Sequence, residues 1–202
     1  MIMIKKILFA LTMLLFGVGV YGQSAKAVLD KCAAVVSAKG GVKADFRMAS
    51  AQYGNATGTI AVKGAKFNAA TKQTTMWFDG KTLWTYMAKS DEVNVTTPTE
   101  AQLQALNPYN FINLYKQGFK YTMTKNDKTY NVHLTAIDSK RKIRELFIVV
   151  DKKTYHPVEV KMLQNSKWTT FTVSNLKTTK LADSVFRFNS KDFPSAEVID
   201  LR

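Results

Sequence analysis

Residue types that commonly build catalytic and metal centres are scarce in this sequence. One cysteine and two histidines occur among 202 residues, so the chain can form no internal disulfide bond and offers few ligands for a transition metal. The histidines, His133 and His156, fit no metal-ligand spacing such as H-E-x-x-H. A phosphate loop, a G-x-S-x-G turn and a dinucleotide-binding glycine motif are also missing. These absences argue against an enzyme and against a metal or organic cofactor.

Acidic residues are few in comparison with basic ones. The chain has 29 Lys and Arg against 15 Asp and Glu, a formal net charge of +14. The basic residues are spread along the chain and form no recognisable nucleic-acid-binding module, so we expect no nucleic acid partner. Attraction to an anionic membrane surface or an acidic partner fits the excess better. The solvated face of a β protein explains it equally well.

The first residues have the features of a secretory signal peptide. Lys5 and Lys6 precede an apolar run over residues 7–20. After it, Val20-Tyr21-Gly22 places side chains of small or moderate size at the positions that a signal peptidase recognises. The run is shorter than the ~20 residues of a membrane-spanning helix, which makes an uncleaved anchor the weaker alternative. We therefore expect a signal peptide over residues 1–22 and a single exported domain over residues 23–202.

Hydrophobic periodicity predicts one helix followed mainly by strands. Apolar residues recur every three or four positions over Ser24–Ala38, which is typical of an amphipathic helix, and Gly40-Gly41 ends it. Cys32 lies on the apolar face of this helix. Charged residues directly before it argue against a lipid-attachment cysteine, so we expect it to pack as a small apolar side chain. From Val42 onward the period changes to two.

A hairpin rich in aromatic residues is predicted near the middle of the chain. Two alternating runs flank Asp79-Gly80, a pair that tolerates the positive φ angles of a tight turn. The runs carry Trp77, Phe78, Trp84 and Tyr86 but no obvious catalytic group. So many large aromatics indicate burial, either in an ordinary core or in a cavity for an apolar ligand.

Helical inserts interrupt the strand pattern after residue 96. Thr97-Pro98-Thr99-Glu100 has the form of a capping box with proline at the first helical position. Leu103 and Leu106 share one helical face, and Phe111 and Leu114 share the face of a second short helix. We expect residues 97–117, together with the Ser24–Ala38 helix, to cover the opening of the sheet.

Regular alternation returns from Phe119 onward and brings the expected total to about ten strands. The predicted fold class is mainly β with α inserts. Its strands form a curved antiparallel sheet, an unclosed (half-open) β-barrel covered by a helical lid.

Several short motifs recur in a fixed order over most of the chain after residue 22: Ala44–Met48, Lys66–Asn68, Trp77–Tyr86, Val93, Phe186–Phe188, Pro194 and Val198–Asp200. In these motifs and their order the sequence resembles the periplasmic outer-membrane lipoprotein carrier family, LolA. The resemblance implies an unclosed antiparallel barrel with a helical lid over a hydrophobic cavity. It also implies a soluble, monomeric carrier that receives acylated lipoproteins from an inner-membrane lipoprotein-releasing transporter and delivers them to an outer-membrane acceptor.

The sequence departs from the family at one position of interest. Family members often have an arginine, in a Val-Lys-Arg-Pro context, that hydrogen-bonds to the lid, whereas this chain has Val62-Lys63-Gly64-Ala65. Gly64 can make no such bond. Whether Lys63 takes over the role is left open by the sequence.

Candidate acyl-chain-binding residues follow from the predicted strands and lid. They are Phe46, Met48, Ile60, Phe67, Trp77, Trp84 and Phe147 from the sheet, with Leu103, Leu106, Phe111 and Leu114 from the lid. Met48, Met76, Met87 and Met123 would suit a pliable apolar lining. An ordinary hydrophobic core explains any one of these residues almost as well. Two other functions remain open on the same fold: a carrier of another lipid or glycolipid, and an envelope-stress sensor that binds a protein partner.

Overall fold

One curved β-sheet accounts for most of the structure, a computed structural model that describes residues 24–99, 102–103 and 114–202. The predicted signal peptide and the lid residues Leu106 and Phe111 lie outside the described residues. Within the described part of the chain, no helix combines the length and the apolar composition that crossing a bilayer requires.

The amphipathic helix predicted near residue 24 is confirmed. Helix α1 spans Ala25–Val36, and the hydroxyl of Ser24 caps it by accepting a hydrogen bond from the Ala27 amide at 3.2 Å. Its apolar stripe is fully buried and consists of Val28, Leu29, Cys32 and Val36. These side chains join the main hydrophobic core, so α1 packs on one face of the sheet.

Twelve strands of the described chain form this sheet, two more than the sequence predicts. They are β1 Val42–Ser50, β2 Gly54–Lys63, β3 Lys66–Thr71, β4 Thr74–Phe78, β5 Leu83–Met87, β6 Glu92–Thr96, β7 Phe119–Lys125, β8 Thr129–Ala136, β9 Ile143–Asp151, β10 Pro157–Gln164, β11 Lys167–Thr178 and β12 Glu197–Asp200. Their order is β12-β6-β5-β4-β3-β2-β1-β11-β10-β9-β8-β7. The end strands β12 and β7 do not pair with each other, so the barrel is unclosed, as predicted.

The β4–β5 hairpin closes through a four-residue turn whose geometry depends on Asp79. The Asp79 carboxylate accepts hydrogen bonds from the Lys81 amide at 3.0 Å and the Thr82 amide at 2.9 Å. Gly80 has a φ of 104°, which a side chain would disfavour. Partial burial by itself would raise the pKa of Asp79, but these amide hydrogen bonds and the nearby Arg187 guanidinium hold that pKa below its ordinary value.

The C-terminal segment, residues 179–202, wraps around the sheet instead of ending in a further antiparallel strand. It contains two short 3-10 helices, Asp183–Phe186 and Ser190–Asp192, followed by β12. Phe186 is the last residue of the first 3-10 helix and is fully buried. Strand β12 pairs in parallel with β6, with Val198 opposite Val93, and forms one edge of the sheet.

The capping box before residue 103 lies two residues later than predicted. The Thr99 amide donates to Gln102 Oε1 at 2.8 Å, and the Gln102 amide donates to Thr99 Oγ1 at 3.3 Å. This reciprocal pair is the hydrogen-bond pattern of a capping box with Thr99 as its first member. The prediction of Thr97 as the cap is therefore wrong.

Candidate functional site

The concave face of the sheet, the face on which α1 packs, carries an apolar surface that the core covers only in part. Phe46 and Met48 of β1 and Met76 of β4 are half-buried there and pack against the main core. Across the strand pairs, Phe46 lies opposite Gly58 and Met48 lies opposite Ala56. Large side chains thus alternate with very small ones. The result is a shallow apolar trough, which we call the concave trough.

Gly58 helps to shape this trough. A Cβ atom added there would lie 3.2 Å from Cε1 of Phe46 and 2.0 Å from the backbone oxygen of Ala70. The Phe46 ring therefore lies close over the backbone of Gly58, and β3 approaches the same residue closely from the other side. Glycine suits the position because of these close approaches.

Two of the predicted site residues form the base of the core and are not exposed in the trough. Ile60 is 2% exposed and Phe67 is 1% exposed, and both belong to the cluster that includes α1. Phe67 packs against Phe78 with a ring-centroid distance of 5.5 Å. Ile60 and Phe67 thus lie in the core between α1 and the sheet. Of the predicted sheet residues, Phe46 and Met48 remain accessible on the concave face.

Both described flanks of the lid region touch the core. Leu103 and Leu114 are partly buried against the main cluster, and Tyr115 is 1% exposed. The Tyr115 hydroxyl donates a hydrogen bond to Asp30 Oδ1 on α1 at 2.7 Å. The Tyr121 hydroxyl donates to the backbone oxygen of Tyr115. These bonds fix the end of the lid region to α1 and to β7.

Three predicted residues, Trp77, Trp84 and Phe147, point away from the concave trough. Trp77 pairs with Trp84 across β4 and β5, one register position from the Phe78–Leu83 pair. Successive residues of a strand point to opposite faces, so Trp77 and Trp84 lie on the convex face. The prediction that Trp77 and Trp84 line the same acyl-chain-binding surface as Phe46 is wrong. Both faces of this hairpin are apolar, so the sequence pattern does not indicate which face each aromatic residue occupies.

The C-terminal segment covers the convex aromatics of the hairpin. The ring of Trp77 lies 5.6 Å from that of Phe188 and 5.5 Å from that of Phe193, measured between centroids. Phe193 also lies 4.6 Å from Tyr86. Edge and tilted contacts of this kind are favourable for aromatic rings. These aromatics therefore belong to a second, internal packing layer.

Phe147 lies on the convex face of the other half of the sheet. Its ring stacks on His133 at 4.0 Å with an interplanar angle of 5°, and it lies 5.9 Å from the Trp168 ring. His133 shares a 2.9 Å hydrogen bond with Glu145. This partner makes His133 part of a surface cluster. Among the described residues, no group of three or more His, Cys, Asp or Glu could hold a metal ion.

Lys63, at the point where the sequence departs from the family pattern, binds the C-terminal segment. Its Nζ donates to the backbone oxygen of Leu181 at 2.9 Å and to Asp183 Oδ1 at 3.0 Å. Lys66 forms an ion pair with the other oxygen of Asp183 at 3.0 Å. These two lysines hold the pKa of Asp183 below its ordinary value. The described contacts of Lys63 thus anchor the beginning of the C-terminal segment to β2.

The list of acyl-chain-binding candidates left out several accessible residues of the same face, although Met76 and Met123 were already expected to suit an apolar lining. Met76, Tyr121, Met123 and Tyr130 all pack partly buried against the main core. Strand alternation was sufficient to find Met76, because it lies two positions from the buried Phe78. Tyr121 and Met123 follow in the same way from the buried Phe119.

Solved structures resemble this chain at low sequence identity, and one of them superposes closely enough to show the same fold. A conserved protein of uncharacterized function from Thermus thermophilus superposes with a TM-score of 0.59 at 11% identity, covering 88% of this chain and 99% of that chain. A LolA superfamily protein from Nitrosomonas europaea gives a TM-score of 0.43 at 11% identity, covering 83% and 99%. A chain of the Pseudomonas aeruginosa MucA/MucB complex gives 0.44 at 11% identity, covering 81% and 60%.

Identity at this level establishes similarity of fold and nothing finer. No curated protein matches the chain in sequence. The model of one protein family, described as the outer membrane lipoprotein carrier protein LolA, matches residues 18–166, well over half of the 202 residues. The motifs in the sequence, the unclosed sheet and the family match agree, and the chain belongs to the LolA family of outer membrane lipoprotein carriers.

Proposed function

We propose that this protein is a periplasmic carrier that binds the acyl chains of lipoproteins in the concave trough and moves them from the inner to the outer membrane. The observation that carries the proposal is the half-buried apolar surface of Phe46, Met48 and Met76 on an unclosed sheet. Contact of such a surface with water costs free energy, and an exposed apolar patch on a folded protein commonly marks a binding site. Membership of the LolA family supports the same function.

The chemistry of the trough suits acyl chains. The concave positions of β1 and β4 are Val42, Ala44, Phe46, Met48 and Ser50, then Thr74, Met76 and Phe78, so no charge interrupts the apolar surface on these strands. Each methylene removed from water stabilises the complex by about 0.8 kcal/mol. Methionine side chains adapt their shape, which lets one surface accept chains of different length.

Partial coverage is as important as apolarity, because a carrier has to release its cargo. Full burial of two or three long acyl chains would make dissociation extremely slow. A shallow trough covers part of each chain and leaves the remainder for an acceptor. Transfer then proceeds toward the site with the higher affinity, without an energy source in the periplasm.

The proposal includes a location and partners. Residues 1–22 are removed as a signal peptide, and residues 23–202 act as one soluble, monomeric domain. An inner-membrane lipoprotein-releasing transporter supplies the cargo and an outer-membrane acceptor receives it. No cofactor takes part, since burial and exposure of acyl chains are the whole of the chemistry.

Native mass spectrometry tests the cargo directly. The full precursor is co-expressed with a triacylated lipoprotein, and the exported protein is purified and sprayed without detergent. A complex with the lipoprotein at one-to-one stoichiometry supports the proposal. A small lipid in its place indicates a carrier of another lipid or glycolipid, and an unacylated protein partner indicates a sensor. An empty protein that binds no acylated ligand contradicts lipid carriage.

A further inference from the structure

A groove of about 570 Å³ lies on the convex face, on the side of the sheet opposite the concave trough. It runs over β1, β2, β3 and β11 and is bounded by Val185 of the C-terminal segment. Its polar lining consists of Lys43, Asp45, Thr59, Asn68, Asn175 and Lys177. Its volume is in the range of pockets that hold small ligands.

Two lysines face each other in this groove. Lys43 of β1 and Lys177 of β11 are direct cross-strand partners, and both are exposed. Directly opposed residues of an antiparallel pair have Cβ atoms about 5 Å apart, so like charges there destabilise the sheet. Neither lysine forms an ion pair with any residue in the described part of the chain.

Neighbouring lysines on the same face are neutralised in a different way. Lys63 and Lys66 share the carboxylate of Asp183, each at 3.0 Å. The Asp183 carboxylate, in the C-terminal segment, thus offsets the charge of Lys63 and Lys66 but forms no ion pair with Lys43 or Lys177. Within the groove, Lys43 and Lys177 therefore present positive charge that no ion pair among the described residues offsets.

The carboxylate that lines the groove, that of Asp45, is already engaged. Asn175 Nδ2 donates a hydrogen bond to Asp45 Oδ2 at 2.6 Å. Asn175 stands at an irregularity in the β1–β11 pairing, between the Lys43–Lys177 and Asp45–Ser174 pairs, and has a φ of 52°. Bulges of this kind redirect side chains and often lie beside binding sites. Here the irregularity brings the side-chain amide of Asn175 to Asp45, where it occupies one of the two carboxylate oxygens.

We propose that Lys43 and Lys177 form a binding site for a phosphate group, carried by a small phosphorylated molecule or by the headgroup of an anionic phospholipid. Two ammonium groups with six N–H donors match the charge and the acceptor oxygens of a phosphate. Thr59 adds a hydroxyl, while Ala61 and Val185 offer a small apolar surface for the remainder of the ligand. This site is on the convex face, so it does not depend on acyl binding in the concave trough.

Binding of two soluble phosphates and of two kinds of lipid vesicle to the purified mature protein tests the site. Isothermal titration calorimetry with inorganic phosphate and with glycerol 3-phosphate measures soluble ligands, and co-sedimentation with phosphatidylglycerol or phosphatidylcholine vesicles measures headgroup binding. The variant is Lys43→Gln with Lys177→Gln. The control, Lys120→Gln with Lys153→Gln, removes the same charge from exposed positions outside the groove.

We expect the affinity of the groove variant for glycerol 3-phosphate or for phosphatidylglycerol vesicles to fall at least tenfold, with the control within twofold of the wild type. Loss of vesicle binding identifies a lipid headgroup as the source, whereas loss of soluble binding alone identifies a free phosphorylated molecule. Equal losses in variant and control show unspecific charge attraction and contradict the site. Absence of binding to all probes also overturns it. The groove variant should unfold at the same or a higher temperature than the wild type in low salt, because it removes a like-charge contact.

Discussion

Trp77 and Phe78 are consecutive residues whose side chains belong to two separate apolar layers on opposite faces of the sheet. Phe78 packs against Phe67 in the main core, and Trp77 packs against Phe188 and Phe193 of the C-terminal segment. This relationship explains why one hairpin carries so many aromatics. One set completes the core beneath α1, and the other set receives the end of the chain.

Truncation of the convex aromatic layer should loosen the C-terminal segment without affecting the concave trough. Phe193→Ala removes ring contacts with Trp77, Tyr86 and Phe188, which we expect to cost about 2 kcal/mol of unfolding free energy. Urea unfolding measures this loss, and a red shift of tryptophan fluorescence reports exposure of Trp77. Val198→Ala is the control because Val198 is 51% exposed and its change should be nearly neutral. A Phe193→Ala protein with wild-type stability and unchanged fluorescence would show that the convex aromatic layer does not hold the C-terminal segment to the sheet.

The Tyr115–Asp30 hydrogen bond should stabilise the junction of α1 with the lid region. Tyr115→Phe removes a hydrogen bond from a buried donor to a carboxylate and should cost about 1 kcal/mol, less than is usual for a charged acceptor because Asp30 is partly exposed. A double-mutant cycle with Asp30→Asn isolates the pairwise energy. A coupling energy near zero would mean that the bond contributes nothing to stability.

The same carboxylate should make stability depend on pH. A hydrogen bond from Lys26 has the largest effect on the pKa of Asp30, and a hydrogen bond from Tyr115 has the next largest. Together they hold this pKa below its ordinary value, although partial desolvation by itself would raise it. A depressed carboxyl pKa contributes stability above about pH 4 that is lost as pH falls through the lowered pKa. Between pH 7 and pH 3, Asp30→Asn should therefore lose less unfolding free energy than the wild type, as measured by urea unfolding. Parallel pH profiles for the two proteins would contradict this role.

Cys32 should be chemically silent in the folded protein. Its side chain lies on the buried face of α1 and is 0% exposed, and burial raises the pKa of the thiol to about 12. A maleimide at pH 7 should label Cys32 only after unfolding in denaturant, with mass spectrometry as the readout. Because it is the single cysteine of the chain, its labelling reports unfolding of the core without interference. Rapid labelling under native conditions would show that α1 separates readily from the sheet.

Strand alternation and helix periodicity were sufficient to predict much of the fold. The burial of Cys32 and the α1 stripe followed from spacings of three and four, and the unclosed sheet followed from regular strands with short turns. Strand β12 could not be predicted from its own four residues, because its pairing with β6 depends on the path of the preceding segment. Local sequence carries little information on such distant parallel pairing.

The site was harder to predict than the fold, because a strand position has to be assigned to a face. Phe46 and Met48 alternate with charged neighbours, which fixes their face, and the structure places both on the concave side. In Trp77–Phe78 and around Phe147 both faces are apolar, so the pattern gives no choice and a shift of one residue reverses the outcome. The structure resolves these cases through the pairs that each residue forms.

Acyl-chain binding by two neighbouring variants tests the central claim most directly. Met48 is half-buried on the concave face, whereas Ala49 is exposed on the convex face, so Met48→Lys and Ala49→Lys add the same charge to opposite sides of one strand. The ligand is a fluorescent polyene fatty acid, titrated into each folded protein stripped of lipid. We expect at least a tenfold loss of affinity for Met48→Lys and less than a twofold change for Ala49→Lys, because only the first ammonium lies where an acyl chain would bind. Wild-type affinity in both variants, or an equal loss in both, would contradict acyl binding in the concave trough.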